Sequence, residues 1–366
     1  MAATSSTFNS DSPPAKPSLP WAFLLALAIL AAFEASLHFV DVRRLIHYND
    51  NDSQRHAVRD RAQHGLAPEL VFIGSSQTRH AVVMPEIIPQ IRSRIGRPIE
   101  IGNYALRGDK VDAFYYVARE LAQSPRPPKM MIVGISIRDL RGVEPAWPSI
   151  APFLTFRDWF NEFIHRPSRV ASILPEVVRN HAFGWCRTLR YRYGLQQWVV
   201  PPFVDIIDQG DIAQGELARE LSYRSRNLVD FPIRRSRLRS MMRSSFEFDE
   251  PAQPNKIMRH YLDRLLKLAK EHDIQMVLME IPVSQQLTAN LPRQFEQKFR
   301  NALQAIAEEN NIPLWRCDAA DLQLTDYHFY DAQHLNYQGA QRFGNELVRR
   351  LGLDDSGRLT FSTASK

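Results

Sequence analysis

The chain has 366 residues, 44% of them hydrophobic and 23% charged, a globular composition long enough for one large domain or two ordinary ones. A formal charge of +6 suits an anionic partner or a membrane surface but is too modest and dispersed for a nucleic-acid binder. Two distant cysteines, Cys186 and Cys317, exclude a disulfide scaffold and a cysteine-based zinc site; they read as buried thiols, with a single disulfide as the alternative.

Residues 1–20 are polar and rich in Ser and Pro, the composition of a disordered tail. Residues 21–40, WAFLLALAILAAFEASLHFV, are about as long as a bilayer-spanning helix requires. Glu34 and His38 interrupt this run at i, i+4 spacing and share one helical face, which places them at the headgroup level or against another membrane protein. The preceding residues are nearly uncharged and no small-x-small site follows, so an uncleaved anchor is expected rather than a signal peptide. Arg43 and Arg44 alone would hold the body in the cytoplasm. Residues 41–65 read as a polar stalk.

The body then alternates. PELVFIG (68–74), RPIEIGN (97–103), KMMIVG (129–134), IQMVLMEI (274–281) and IPLW (312–315) are short apolar runs of the kind found in a parallel sheet covered on both faces. Apolar residues recur at helical spacing in 256–272 and 293–308. The pattern predicts a doubly wound α/β domain over 66–353, with sites beyond the carboxyl ends of the strands and a flexible tail at 354–366. Residues 141–255 break the alternation as a long insertion with four of the six tryptophans, sixteen arginines and no lysine. It reads as an accessory subdomain with its own small core; FPIRRSRLRSMMR (231–243) is either a solvated face or a contact for an anionic polymer or lipid headgroup.

Two motifs carry chemistry. FYDAQHLNYQGAQRF (329–343) places Asp331 three residues before His334, ahead of an amphipathic helix. The spacing suits an acid that orients an imidazole, and there is no companion cluster for a metal. VFIGSSQTRH (71–80) ends the first strand with Ser75 and Ser76, resembling a nucleophile elbow whose second glycine is replaced by Thr78. Both motifs fall on one edge of the sheet.

On these residues the chain resembles the SGNH (GDSL-type) hydrolases and acyltransferases, over about 66–141 and 256–350, which implies a three-layer α/β/α, flavodoxin-like domain. Gly74-Ser75-Ser76 matches the first block and makes Ser76 the nucleophile; Asp331 and His334 match the last, as orienting acid and base. GNYALRG (102–108) resembles the second block and offers Gly108. The third block departs: Gly134-Ile135-Ser136 stands where Gly-x-Asn is expected, so the implied oxyanion hole is Ser76, Gly108 and Ser136. Loss of one oxyanion donor costs on the order of 10²–10³ in rate. Ser75 reads as a helix cap or loop support, with substrate binding as the alternative, and Arg79 as a solvated or structural group or a binder of a substrate carboxylate or phosphate. His80 reads as solvated or structural, Arg138 and Asp139 as an ion pair at the rim, and His328 as packing.

The anchor, Gly-Ser-Ser and a Ser in the third block are similar to a membrane-anchored branch of the family, the D-alanyl-lipoteichoic acid transfer proteins and the SGNH-type partners of membrane-bound O-acyltransferases. That resemblance implies a short cytoplasmic N-terminus, a body outside the bacterial cytoplasmic membrane, no cofactor and no metal. It also implies transfer or hydrolysis of acetyl or D-alanyl groups on an envelope polysaccharide or other polymer, beside a multispanning acyltransferase. The alternative is a non-catalytic protein of the same fold that binds the acyltransferase or polymer.

Overall fold

Strand β1 (Leu70–Ile73) is four consecutive apolar residues, all buried; β3 (Met130–Ile135) repeats the pattern, as do residues 276–279 within β4 (Gln275–Glu280). With β2 (Ile101–Asn103) and β5 (Leu314–Trp315) they form a five-stranded sheet, parallel throughout, in the order β2-β1-β3-β4-β5. The computed structural model describes residues 21–39, 67–140, 147–165, 167–175, 227–230, 256–291, 295–317 and 319–362, with 55, 58–59, 61–65 and 177–178. The tail 1–20, Arg43 and Arg44, Cys186 and the basic stretch 231–243 lie outside the described residues.

Strands apolar on both sides need cover on both sides. Val71, Ile73, Met131, Val133, Met276 and Leu278 point into one core with helices α4 (Val111–Ala122), α6 (Lys256–Glu271) and α7 (Phe295–Asn310). Leu70, Phe72, Met130, Ile132, Val277 and Met279 point into the other, with α3 (Met84–Ile95) and α8 (Tyr337–Arg350). This is the expected three-layer α/β/α fold with the flavodoxin-like strand order, whose direction of winding reverses between β1 and β3. A short helix, α2 (Ser76–Ala81), leaves β1 at that point.

At the N-terminus, α1 (Trp21–Phe39) has a mean hydropathy of 2.0 and is long and apolar enough to cross a membrane. Glu34 and His38 hydrogen-bond along it at 3.3 Å.

Three expectations about the periphery are corrected. The segment read as a stalk packs on the body in its described part: Arg55 is buried and pairs with Asp109 at 2.6 Å, and Val58 and Ala62 join the core beside α4. The described part of the insertion, including α5 (Phe156–His165), shares the main core rather than building its own. Arg119 of α4 reaches across to Asp158 at 2.8 Å and to the Phe153 carbonyl at 2.7 Å. The tail read as flexible from 354 pairs back instead, as β6 (Leu351–Leu353) and β7 (Leu359–Phe361) form an antiparallel hairpin. Asp354 Oδ1 closes its turn by accepting from the Ser356 and Arg358 amides, each at 2.9 Å, and Phe361 is buried near Trp315.

Helix α8 docks through a glycine. A Cβ on Gly339 would lie 2.2 Å from the His328 carbonyl oxygen, a backbone atom that cannot swing aside. Gly339→Ala is expected to destabilise the protein by about 1–3 kcal/mol, as overpacking does, measured by chemical denaturation; wild-type stability would contradict the close approach.

Candidate active site

The turn after β1 is shaped by one threonine and two glycines. Thr78 Oγ1 lies 3.3 Å from the Gly134 carbonyl of β3. A Cβ on Gly74 would lie 2.1 Å from Thr78 Oγ1, and one on Gly134 would lie 2.2 Å from the same atom. Position 78, where a nucleophile elbow carries its second glycine, thus holds a side chain that fits because the two facing residues have none. Ser75 occupies the N-cap position of α2 but makes no capping bond; its hydroxyl turns to Asp139 at 3.3 Å.

Ser76, the first residue of α2, places Oγ 2.9 Å from His334 Nε2. The other ring nitrogen, Nδ1, lies 2.9 Å from both Asp331 oxygens. A loop of limited freedom holds this pair. Phe329 and Leu335 form a β-bridge, and the Tyr330 amide donates to the His334 carbonyl at 2.8 Å. The Ala332 carbonyl accepts from the Ser284 amide at 3.1 Å and its hydroxyl at 3.0 Å. Gln333 receives a buried bond from Gln77 at 3.1 Å, which ties the histidine loop to the nucleophile helix. Asn336 then caps α8 by accepting from the Gly339 amide at 3.0 Å.

Burial alone would raise the Asp331 carboxyl. The bond and charge of His334, with the Gln333 and His334 amides at 2.8 and 2.9 Å, outweigh it and hold the group below the usual carboxylate range. Asp331 is therefore ionised and faces the imidazole, the arrangement that fixes a tautomer with Nε2 free to accept the Ser76 proton.

The remaining expected residues are more varied. Gly108 lies in an exposed turn beyond β2 at φ +75°, a conformation that favours glycine, next to the buried Arg55–Asp109 pair. Ser136 is fully buried; its amide donates to Asp139 Oδ2 at 2.8 Å and its side chain bonds the same carboxylate. Arg79 is half-buried one turn along α2. Among the described residues no group of three or more His, Cys, Asp or Glu side chains could hold a metal. His328 closes a capping box with Thr325, whose amide donates to its Nδ1 at 3.0 Å, a structural role. Asp139 is 1% exposed and bonded to the serines, not paired at the rim as expected.

Comparison with known proteins adds little beyond this geometry. No curated protein matches the chain. A profile of a protein family of unknown function, DUF1574, matches residues 233–351, about a third of the sequence. A lipase/acylhydrolase from Enterococcus faecalis aligns at 12% identity and a TM-score of 0.35, covering 81% of this chain and 98% of its own. A provisionally assigned acylhydrolase from Bacteroides fragilis gives the same identity and score over 80% and 96%.

Sequence reasoning missed one neighbour of the pair. The His80 ring centroid lies 5.0 Å from that of His334. Burial, with the charges of His334 and Arg107 beside it, depresses His80 to about 3, so it stays neutral through the physiological range. Its signal was positional: His80 is four residues after Ser76, hence on the same face of α2.

A histidine held neutral in the fold makes stability depend on pH. Below its ordinary value of about 6.5 the unfolded chain binds a proton at His80 that the folded chain refuses. Stability therefore falls as pH drops from about 6.5 toward 3. Melting temperature is expected to decline between pH 7 and 5, and His80→Gln to remove much of that decline. His328, also held below its ordinary value by burial, supplies part of the rest. An identical pH dependence in His80→Gln would contradict the neutral assignment.

Proposed function

We propose that this chain is a serine-dependent acyltransferase or esterase. The observation that carries the reading is the unbroken hydrogen-bond series from Ser76 through His334 to Asp331. It lies at the carboxyl edge of a parallel sheet, where α/β folds place their sites.

In this mechanism Ser76 Oγ attacks the acyl carbonyl while His334 Nε2 takes its proton. Asp331 stabilises the imidazolium and does not itself accept the proton. The tetrahedral oxyanion meets main-chain N–H groups of Ser76 and Gly108; Ser136, the third donor implied by the resemblance, is buried with its amide and side chain bonded to Asp139 and supports the turn instead. His334 then returns the proton to the leaving oxygen, giving an acyl-serine. An acceptor hydroxyl, or water, enters along the same path and loses its proton to His334, which passes it to Ser76 Oγ as the acyl–serine bond breaks and the ester or acid leaves. Neutral His80 beside the ring adds no positive charge to oppose the imidazolium.

The finer reading follows the resemblance. With α1 as an uncleaved anchor, the body works outside the bacterial cytoplasmic membrane on acetyl or D-alanyl esters of an envelope polysaccharide or polymer, beside a multispanning O-acyltransferase. Arg79 contributes by binding a carboxylate or phosphate of the substrate. A non-catalytic role for the same fold is the outcome to test against.

The test is labelling of the full-length protein, in detergent micelles, with a fluorophosphonate serine probe. Wild type and Ser75→Ala are expected to label, whereas Ser76→Ala and His334→Ala are not. A folded wild type that does not label would favour the binding role. Asp331→Asn keeps the shape but loses the charge that fixes the tautomer; its labelling rate is expected to fall by on the order of 10²–10⁴.

A further inference from the structure

The mechanism above leaves one buried acid unused. Asp139 lies just beyond β3, below the nucleophile turn, and is 1% exposed. Its Oδ2 accepts from Ser75 Oγ at 3.3 Å and from the Ser136 amide at 2.8 Å. Its Oδ1 is buried with no hydrogen-bond partner among the described residues. A carboxylate in that position is costly, and the fold could fill the volume with an apolar side chain at lower cost. Burial pushes the group up to about 6, against the hydrogen bonds from Ser136 and Ser75 and the charge of Arg138.

What the carboxylate holds explains its retention. Ser75 stands where a serine ordinarily accepts from the amides of its own helix, yet its hydroxyl is drawn away to Asp139. Ser136 ends the neighbouring strand, and its amide and side chain are drawn to the same group. One oxygen therefore joins the ends of β1 and β3 across the point where the sheet reverses its winding, one peptide from Ser76.

We infer that Asp139 is a positioning residue: through Ser75 and Ser136 it fixes the turn that presents Ser76 to His334. This rests on the serine mechanism proposed above. A reacting atom displaced by about 1 Å loses roughly 10²-fold in rate, so the effect belongs in the chemical step and not in substrate binding.

The experiment uses full-length protein in detergent micelles, with p-nitrophenyl acetate hydrolysis and fluorophosphonate labelling as readouts. Asp139→Asn keeps the volume but turns an NH₂ group toward one of the donors. It is expected to lower kcat roughly 10–100-fold, with KM changed less than about twofold and an undiminished melting temperature. Ser75→Ala cuts one tether and leaves the carboxylate, so it is expected to give a smaller fall in kcat of the same kind. Wild-type kcat in folded Asp139→Asn overturns the inference, as does a loss spread over KM and melting temperature. If Asp139→Asn does not fold, unchanged kcat in Ser75→Ala overturns it instead. Wild type without Ser76-dependent labelling removes the serine mechanism and this inference together, whereas normal labelling of both wild type and Asp139→Asn removes the inference alone.

Discussion

The approach of α2 to the ends of β1 and β3, with Thr78 set between Gly74 and Gly134, is the constraint on which the rest of the site depends. Any side chain at either glycine would push the helix outward and carry Ser76 with it. The sheet makes such an approach available in only one place. Connections leave β1 and β3 in opposite directions there, and the crevice between them is not covered by a crossover helix. Thr78 fills the base of that crevice and Ser76 stands at its rim.

The second half of the site comes from the other end of the chain and is held by different means. Asp331 and His334 lie in a loop, where freedom is the default. Here the freedom is removed by a β-bridge, by Ser284 holding the Ala332 carbonyl, and by Gln77 reaching Gln333. The electrostatics are as restricted as the geometry. An ionised Asp331 faces the His334 ring, while burial keeps the neighbouring His80 neutral. The two rings lie 5.0 Å apart, one against a carboxylate and the other covered by the fold.

Much of this was legible in the sequence because it depends on local pattern. Continuous apolar runs announced strands covered on both faces, and helical spacing announced α6 and α7. Asp331 and His334 could be read as a pair because both lie in one short loop, and Ser76 because it follows a strand. Asp139 could not: its partners are 3 and 64 residues away, and Arg138 beside it suggested a surface ion pair. His80 looked like one more polar residue on a first helical turn, because nothing local reveals which residue will cover it. The hairpin at 351–361 was missed because LGL and LTF are too short to show alternation, and their pairing depends on the turn built by Asp354. Residues 41–65 read as a stalk because their composition is polar and charged; in the described part Arg55 is buried against Asp109, and Arg59 reaches the Pro152 carbonyl.

The Arg55–Asp109 pair also sets a length scale. Fifteen residues separate the end of α1 at Phe39 from Arg55, which is fastened to the turn that follows Gly108. A chain of that length spans at most about 55 Å when fully extended. With α1 in a bilayer, the body is leashed by the same flank that leads into the catalytic edge. On the reading proposed above, its working volume is a shallow shell over the membrane, so an ester on a lipid-linked or membrane-proximal chain is within reach and one deep in the surrounding medium must first come to it.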